Sequence, residues 1–437
     1  MDRRRVLAFV FALACAGPHL RAQASLAEEL ERLVDLPSAA ERKQAARGLA
    51  ERCAARVGEL EAAARAFGRF EPLASGVQEL KVELRVGAQN EATELSLYVP
   101  ASYTTERAAP LLLAFHGTGG RGRELLGMWR RFAEECGMLV LAPTEAGPNV
   151  GYRFSERERL AALAALRWVR RRANVDENRI FATGISRGGH LAWDLALRFP
   201  DVFAGLAPMI GGPRITLQDG QNNLRYCENV VGLAIRDLQG AKDDPALVWS
   251  VQAIFDKLRR LNALDAQLVQ QEDHGHSFEI SAVDWAAFFS AKRRDPRPAR
   301  VVRASAREHE GRAFWVEVLE HGPNVKEDFT PKVSAAGWAS KSENEKRLYL
   351  IAEAEKRTAR LQVERGGAGR YSATSTSVKR WRILLEAQDL DGKQELVVTW
   401  NGDSSKQRPR PSAFVLLEEF AERFDRTFVP LAELQLR

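Results

Sequence analysis

The sequence predicts an α/β fold: a mostly parallel sheet with helices on both faces, preceded by a short helical segment and followed by a β-rich, sandwich-like domain. Three observations carry that prediction. Strand-like and helix-like runs alternate from about residue 77 to 292, the rhythm of βαβ units. Gly184-Ile185-Ser186-Arg187-Gly188-Gly189 lies between the apolar run Arg179 to Thr183 and a run of helix formers from His190 to Leu197, which puts a serine on a strand-to-helix turn. The alternation then stops at a basic run from Arg293 to Arg300 that holds Pro296 and Pro298, and a strand-rich pattern follows.

At the N-terminus, Arg3-Arg4-Arg5, the apolar stretch Val6 to Ala16 and Ala22-Gln23-Ala24 follow the order of a secretory signal peptide over residues 1–24. The stretch is too short to span a bilayer, so cleavage after Ala24 and export to the periplasm or the medium are expected. Cys15 offers a lipoprotein anchor as the rival, although Leu13 stands one place closer to it than a lipobox wants. No other apolar stretch is long enough to cross a membrane, which predicts no integral membrane segment after processing.

The formal net charge is +6, and residues 1–24 hold four arginines against Asp2, so the processed chain carries +3. Basic runs such as Arg170-Arg171-Arg172 sit among acids in helical stretches, the pattern of solvated helix faces, and no nucleic-acid partner is expected. Cys53, Cys136 and Cys227 permit one disulfide at most, with the pairing open, and their spacing matches no zinc site.

Residues 25–76 carry apolar positions at helical spacing (Leu26, Leu30, Leu33, then Leu49, Cys53, Val57, Leu60) and predict two helices broken near Pro37, a packing or stalk element. From Val77 the period becomes two: Leu80, Val82, Leu84 and Val86, then Leu95, Leu97 and Val99, with a turn over Gly87 to Asn90, predict an antiparallel hairpin. Expected strands follow at Leu111 to Phe115, Met138 to Leu141, Arg179 to Thr183, Val202 to Ala207, up to Leu238, and Ala266 to Gln271. Expected helices run from Glu124 to Glu135, Glu156 to Arg172, His190 to Phe199, Pro245 to Leu261 and Val283 to Lys292. The expected division is a catalytic domain over 77–293, a linker over 294–300 and a β-rich domain over 301–437. That last domain has strands at Ala313 to Leu319, Thr358 to Val363, Trp381 to Leu385 and Leu396 to Trp400, the last entering the turn Asn401-Gly402.

A serine nucleophile needs a base, and the base needs an orienting carboxylate. His276, in Asp273-His274-Gly275-His276-Ser277-Phe278, falls between the last expected strand and the last expected helix of the catalytic domain. Asp243, in Gly240-Ala241-Lys242-Asp243-Asp244-Pro245, follows the preceding strand. His274 and Asp244 are the rivals, with Asp237 more distant. His276 is preferred because Gly275 gives its loop room, and Asp243 because Asp244 is held extended by the proline after it. Backbone N–H groups of Arg187 and of Thr118, in His116-Gly117-Thr118-Gly119-Gly120, are the expected oxyanion donors. His116 and His190 are expected to make structural hydrogen bonds near the site.

These four segments, with Val175 to Thr183 leading into the serine motif, resemble the polyhydroxybutyrate depolymerase and feruloyl esterase branch of the α/β-hydrolase family, over about half of the chain. The resemblance implies a serine esterase with Ser186, Asp243 and His276 as triad, in the family's chain order. One departure is Arg187, where this branch often has a small residue; it predicts a positive side chain bordering the acyl site and favours an acidic or phosphate-free anionic ester. The expected function is an exported carboxylic-ester hydrolase, with no metal or organic cofactor. The short interval from Ala207 to Val230 leaves no room for a large lid, which suits a bulky ester such as an acyl or feruloyl group on a polysaccharide, or a polyester. The alternatives are a serine peptidase of the prolyl-oligopeptidase type and a non-catalytic binding protein that keeps the fold.

Overall fold

The computed structural model describes residues 18–144, 151–214, 222–330, 332–367, 369–390 and 395–437; Arg3 to Ala16 and Cys15 lie outside them. Three helices lead: α1 (Pro18–Asp35), α2 (Ala39–Cys53) and α3 (Val57–Arg65). The hairpin β1 (Gly76–Val86) and β2 (Gln89–Val99) opens the sheet. It continues through β3 (Ala109–Phe115), α4 (Gly122–Cys136), β4 (Leu139–Thr144), α5 (Glu156–Arg170), β5 (Val175–Ile185) and α6 (Arg187–Arg198). Then come β6 (Gly205–Met209), β7 (Ala234–Gly240), α7 (Pro245–Arg260), β8 (Ala266–Gln271) and α8 (Trp285–Ala291).

The eight strands lie in the order β1-β2-β4-β3-β5-β6-β7-β8. The β1–β2 and β2–β4 pairs are antiparallel, and β4 through β8 are parallel. The alternating pleat explains why helices cover both faces. On β3, Leu111, Leu113 and Phe115 join a core with α5, α6 and α7, whereas Leu112 and Ala114 face α4 and α8. All seven residues of β3 are buried, as a central parallel strand requires.

After the sheet come β9 (Arg300–Ser305), β10 (Arg312–Ala313), β11 (Val316–His321), α9 (Ala335–Ala339), α10 (Glu343–Lys356), β12 (Ala359–Arg365) and β13 (Arg370–Thr376). β14 (Val378–Leu385), β15 (Leu396–Trp400), β16 (Asp403–Gln407), α11 (Ala413–Arg423) and β17 (Ala432–Leu436) complete the chain. They form a four-stranded sheet, β10-β11-β14-β17, and a five-stranded sheet, β16-β15-β13-β12-β9. Trp381 of the first meets Trp400 of the second edge-on at 5.9 Å, and Trp315 meets Tyr371 at 5.8 Å. Helices α9, α10 and α11 lie between and after the strands expected of this β-rich region, where no helix was expected.

Contacts divide the chain into two compact units that depart from chain order. The smaller takes in residues up to Arg69, 384–394 and 408–433. The apolar stripe of α1 to α3 (Leu30, Leu33, Leu49, Leu60) needs a partner face, and α11 supplies it with Leu416, Leu417 and Phe420, the last edge-on to Phe67 at 5.1 Å. Arg42 grips Glu422 through two bonds of 2.9 and 2.8 Å.

The larger unit holds the eight-stranded sheet and most of the β-rich region. Asn229 donates to Leu197 O at 2.8 Å and to Ala304 O at 2.9 Å, and Arg198 of α6 pairs with Asp194 at 2.8 Å, with Glu310 at 2.6 Å and with Glu327. The basic run is fastened too, since Arg294 donates to Asp201 O at 2.6 Å and to Asn178 Oδ1 at 2.8 Å. Cys53, Cys136 and Cys227 are all free thiols.

Candidate active site

Strand β5 ends at Ile185 and helix α6 starts at Arg187, so Ser186 alone makes the turn. Its φ of 52° lies in the left-handed region that a non-glycine residue enters only when its surroundings hold it there. They do so by close backbone approach. A Cβ on Gly188 would lie 2.0 Å from Phe115 O, and one on Gly184 would lie 2.3 Å from the carbonyl of Gly188, so the first turn of α6 can press onto β3 only with glycine at these positions. Ser186 N–H donates to Met209 O at 2.8 Å, and its side chain does not cap the helix.

That hydroxyl meets His276 instead: Oγ to Nε2 is 2.8 Å. On the far side of the ring, Nδ1 lies 2.8 and 3.1 Å from the Asp243 carboxylate oxygens. The loops after β7 and β8 are close enough for this because Gly240 has no side chain; a Cβ there would lie 1.9 Å from Gly275 O. The carboxylate is 5% exposed and the imidazole 52%, so Asp243 is shielded while His276 opens to solvent. Serine, histidine and aspartate thus form one hydrogen-bonded chain at the carboxyl ends of β5, β7 and β8, on a sheet whose second strand runs antiparallel to its neighbours. The chain has the α/β-hydrolase fold.

The rival residues make other contacts. Asp244 caps α7, accepting from Ala246 N at 2.8 Å and Leu247 N at 3.3 Å. His274 gives its backbone carbonyl to Lys242 N and stands outside the triad. Asp237 is fully buried inside β7, where Trp193 Nε1 (3.0 Å) and Gln239 Nε2 (2.6 Å) donate to it. Burial pushes its carboxyl up to about 8, against the pull of those two donors.

Thr118 is exposed in the turn Gly117 to Gly120, closed by Gly120 N–H to Gly117 O at 3.1 Å. The turn runs beside Ser186, since a Cβ on Gly117 would lie 3.9 Å from Ser186 Cβ. Arg187 is the first residue of α6, where backbone N–H groups point out of the helix. His116 Nδ1 bonds Gly117 O at 2.8 Å and His190 Nδ1 bonds Gly212 O at 2.6 Å. Burial pushes the His190 imidazole down, which favours its neutral form.

The Arg187 side chain corrects the expectation of a cation at the acyl site. Its guanidinium is 7% exposed, pairs with Glu158 at 3.0 Å and donates to Gly151 O at 3.2 Å. A buried cation is stable only when paired, and the pairing turns this one away from solvent and from an incoming anion. Sequence reasoning missed Glu158, although Ser155 to Glu158 spells the capping box that starts α5.

No family model matches the chain. A curated relative, poly(3-hydroxyalkanoate) depolymerase C from Paucimonas lemoignei, is 45% identical over 40 residues, which is 9% of this chain and 10% of that enzyme. Solved structures similar to this chain include a thermostable esterase (22% identity, 49% of this chain and 63% of that one, TM-score 0.40). Two others are an acetyl xylan esterase from Aspergillus awamori (13%, 49% and 99%, 0.41) and a ferulic acid esterase from Anaeromyces mucronatus (10%, 51% and 93%, 0.40). The strand order and the serine turn carry the fold assignment.

Proposed function

We propose that this chain is a serine carboxylic-ester hydrolase working through Ser186, His276 and Asp243. The observation that carries the reading is the 2.8 Å contact on each side of the His276 ring. With Nδ1–H donated to Asp243, Nε2 is free to accept the serine proton. Ser186 Oγ attacks the ester carbonyl carbon as its proton passes to His276, and the carbonyl π electrons move onto oxygen. N–H groups of Arg187 and Thr118 stabilise that oxyanion, each contribution worth about 3 kcal/mol in comparable sites. Collapse expels the alcohol, which takes the proton from Nε2. Water then attacks the acyl-serine by the same route and releases the acid.

The substrates we infer are acyl or feruloyl esters of polysaccharides, or a polyester; the short match to a polyester depolymerase supports the second. The order of charge, apolar stretch and small residues over 1–24 supports export, with anchoring at Cys15 as the rival. The test is turnover of p-nitrophenyl acyl esters, methyl ferulate and poly(3-hydroxybutyrate) by the wild type and by Ser186→Ala. Turnover abolished by the substitution supports the reading. Equal rates, or cleavage of peptide amides without esters, would replace it.

A further inference from the structure

The residues just before α5 pack against α6, and their backbone is strained in a way that the Ser186–His276–Asp243 chain does not require. Phe154 sits at φ 58°, a left-handed conformation that costs an aromatic residue on the order of 1–3 kcal/mol. Several bonds hold it there. Arg159 Nη1 donates to Phe154 O at 2.8 Å, and Glu158 accepts from Arg153 N at 3.2 Å and from Ser155 N at 3.0 Å. Tyr152, whose ring is 4.4 Å from Phe154, donates its hydroxyl to Asp194 on α6 at 2.8 Å.

The same turn is tied to the residue after the nucleophile. Arg187 reaches Gly151 O and Glu158, and its guanidinium stands 5.9 Å from the Tyr152 ring. The Phe154 ring is thereby held 5.8 Å from that of His190, whose backbone N–H donates to Ser186 O. An arginine, a glutamate and a strained aromatic residue therefore converge on one result, an aromatic ring held against His190, in the first turn of α6 after Ser186.

Resting on the ester-hydrolase reading, we propose that Phe154 is a specificity-determining wall of the substrate cleft, selecting esters with an apolar acyl group, and that Arg187 and Glu158 are positioning residues that hold it. Arg187 acts on substrate choice through Phe154, not through its charge.

The test compares kcat/KM for p-nitrophenyl butyrate and acetate in the wild type, Phe154→Ala, Phe154→Leu, Glu158→Gln, Arg187→Met, Arg187→Lys and the double variant Phe154→Ala/Glu158→Gln. Removing the ring is expected to lower the butyrate-to-acetate ratio by about tenfold, through KM on butyrate, with Phe154→Leu between. Glu158→Gln and Arg187→Met shift the ratio the same way, Arg187→Lys restores part of it, and Glu158→Gln changes it by less than about twofold once Phe154 is gone. A general loss of folding would lower both rates and leave the ratio alone. An unchanged ratio in Phe154→Ala, or a Glu158→Gln effect that persists in the double variant, overturns the proposal while leaving the esterase standing. Wild-type protein without Ser186-dependent turnover of either ester overturns both.

Discussion

Replacing Asp243 with asparagine separates the proposed triad acid from its neighbour. As His276 takes the serine proton it becomes a cation beside a carboxylate that is 5% exposed and 2.8 Å from Nδ1. Two unit charges about 4 Å apart at an effective dielectric near 20 attract by about 4 kcal/mol. Asparagine removes that attraction and permits the wrong imidazole tautomer, which in comparable triads brings the loss to about 10⁴ in kcat. Because the ring is 52% exposed, water replaces part of the lost stabilisation, and we expect a fall of about 10³ to 10⁴, or roughly 4 to 5.5 kcal/mol. Asp244→Asn keeps an oxygen for the N-cap of α7 and is expected to stay within about threefold of wild type. The assay is kcat on p-nitrophenyl acetate with thermal unfolding of each variant alongside. A fall of less than tenfold in Asp243→Asn, or an equal fall in Asp244→Asn, would refute the assignment of the acid.

Three further outcomes follow. Gly188→Ala forces a methyl group to within 2.0 Å of Phe115 O, so soluble yield and Tm should drop sharply, with at least about 3 kcal/mol lost; wild-type denaturation would contradict the packing described for the turn. Asp237, with its carboxyl at about 8 in the fold against 3.8 unfolded, binds more protons in the native state, so its contribution is full below about 4 and is lost as pH rises to about 8. Its share is at most about 6 kcal/mol, and urea midpoints at pH 5 and 8.5 should differ less in Asp237→Asn than in wild type, equal differences counting against it. In the smaller unit, Phe420→Ala removes a ring that is 2% exposed and should cost about 3–5 kcal/mol, read as a lower unfolding midpoint; a shift below about 1 kcal/mol would mean that α11 does not close that core.

The catalytic sheet was legible because its signals are local. Every residue of β3 is apolar or proline, the hairpin alternates, and glycine spacing marks the serine turn, so element order followed from periodicity. Boundaries shifted where a cap lay outside the apolar run: α6 begins at Arg187 because Ser186 ends the strand, three residues before the helix formers start. The β-rich region was less legible. Helix α10 has charged residues on most of its faces and only Leu350 and Ala354 buried, so its apolar period is faint, and Ser342 with Glu345 was its clearest mark. The partnership of α1 to α3 with α11 joins residues more than three hundred positions apart, and nothing in a hydrophobic stripe names its partner. At the site, residue type and chain order pointed to Ser186, Asp243 and His276. The direction of the Arg187 side chain could not be read, since Glu158 lies 29 residues upstream and meets it only in the folded protein.

The most direct test of the central claim is covalent labelling of the wild type with a fluorophosphonate, followed by peptide mass spectrometry. An activated serine should take up one equivalent, on Ser186 alone, with labelling slowed by orders of magnitude in His276→Ala. A wild-type protein that stays unlabelled, or that carries the phosphonate on another residue, would contradict the account.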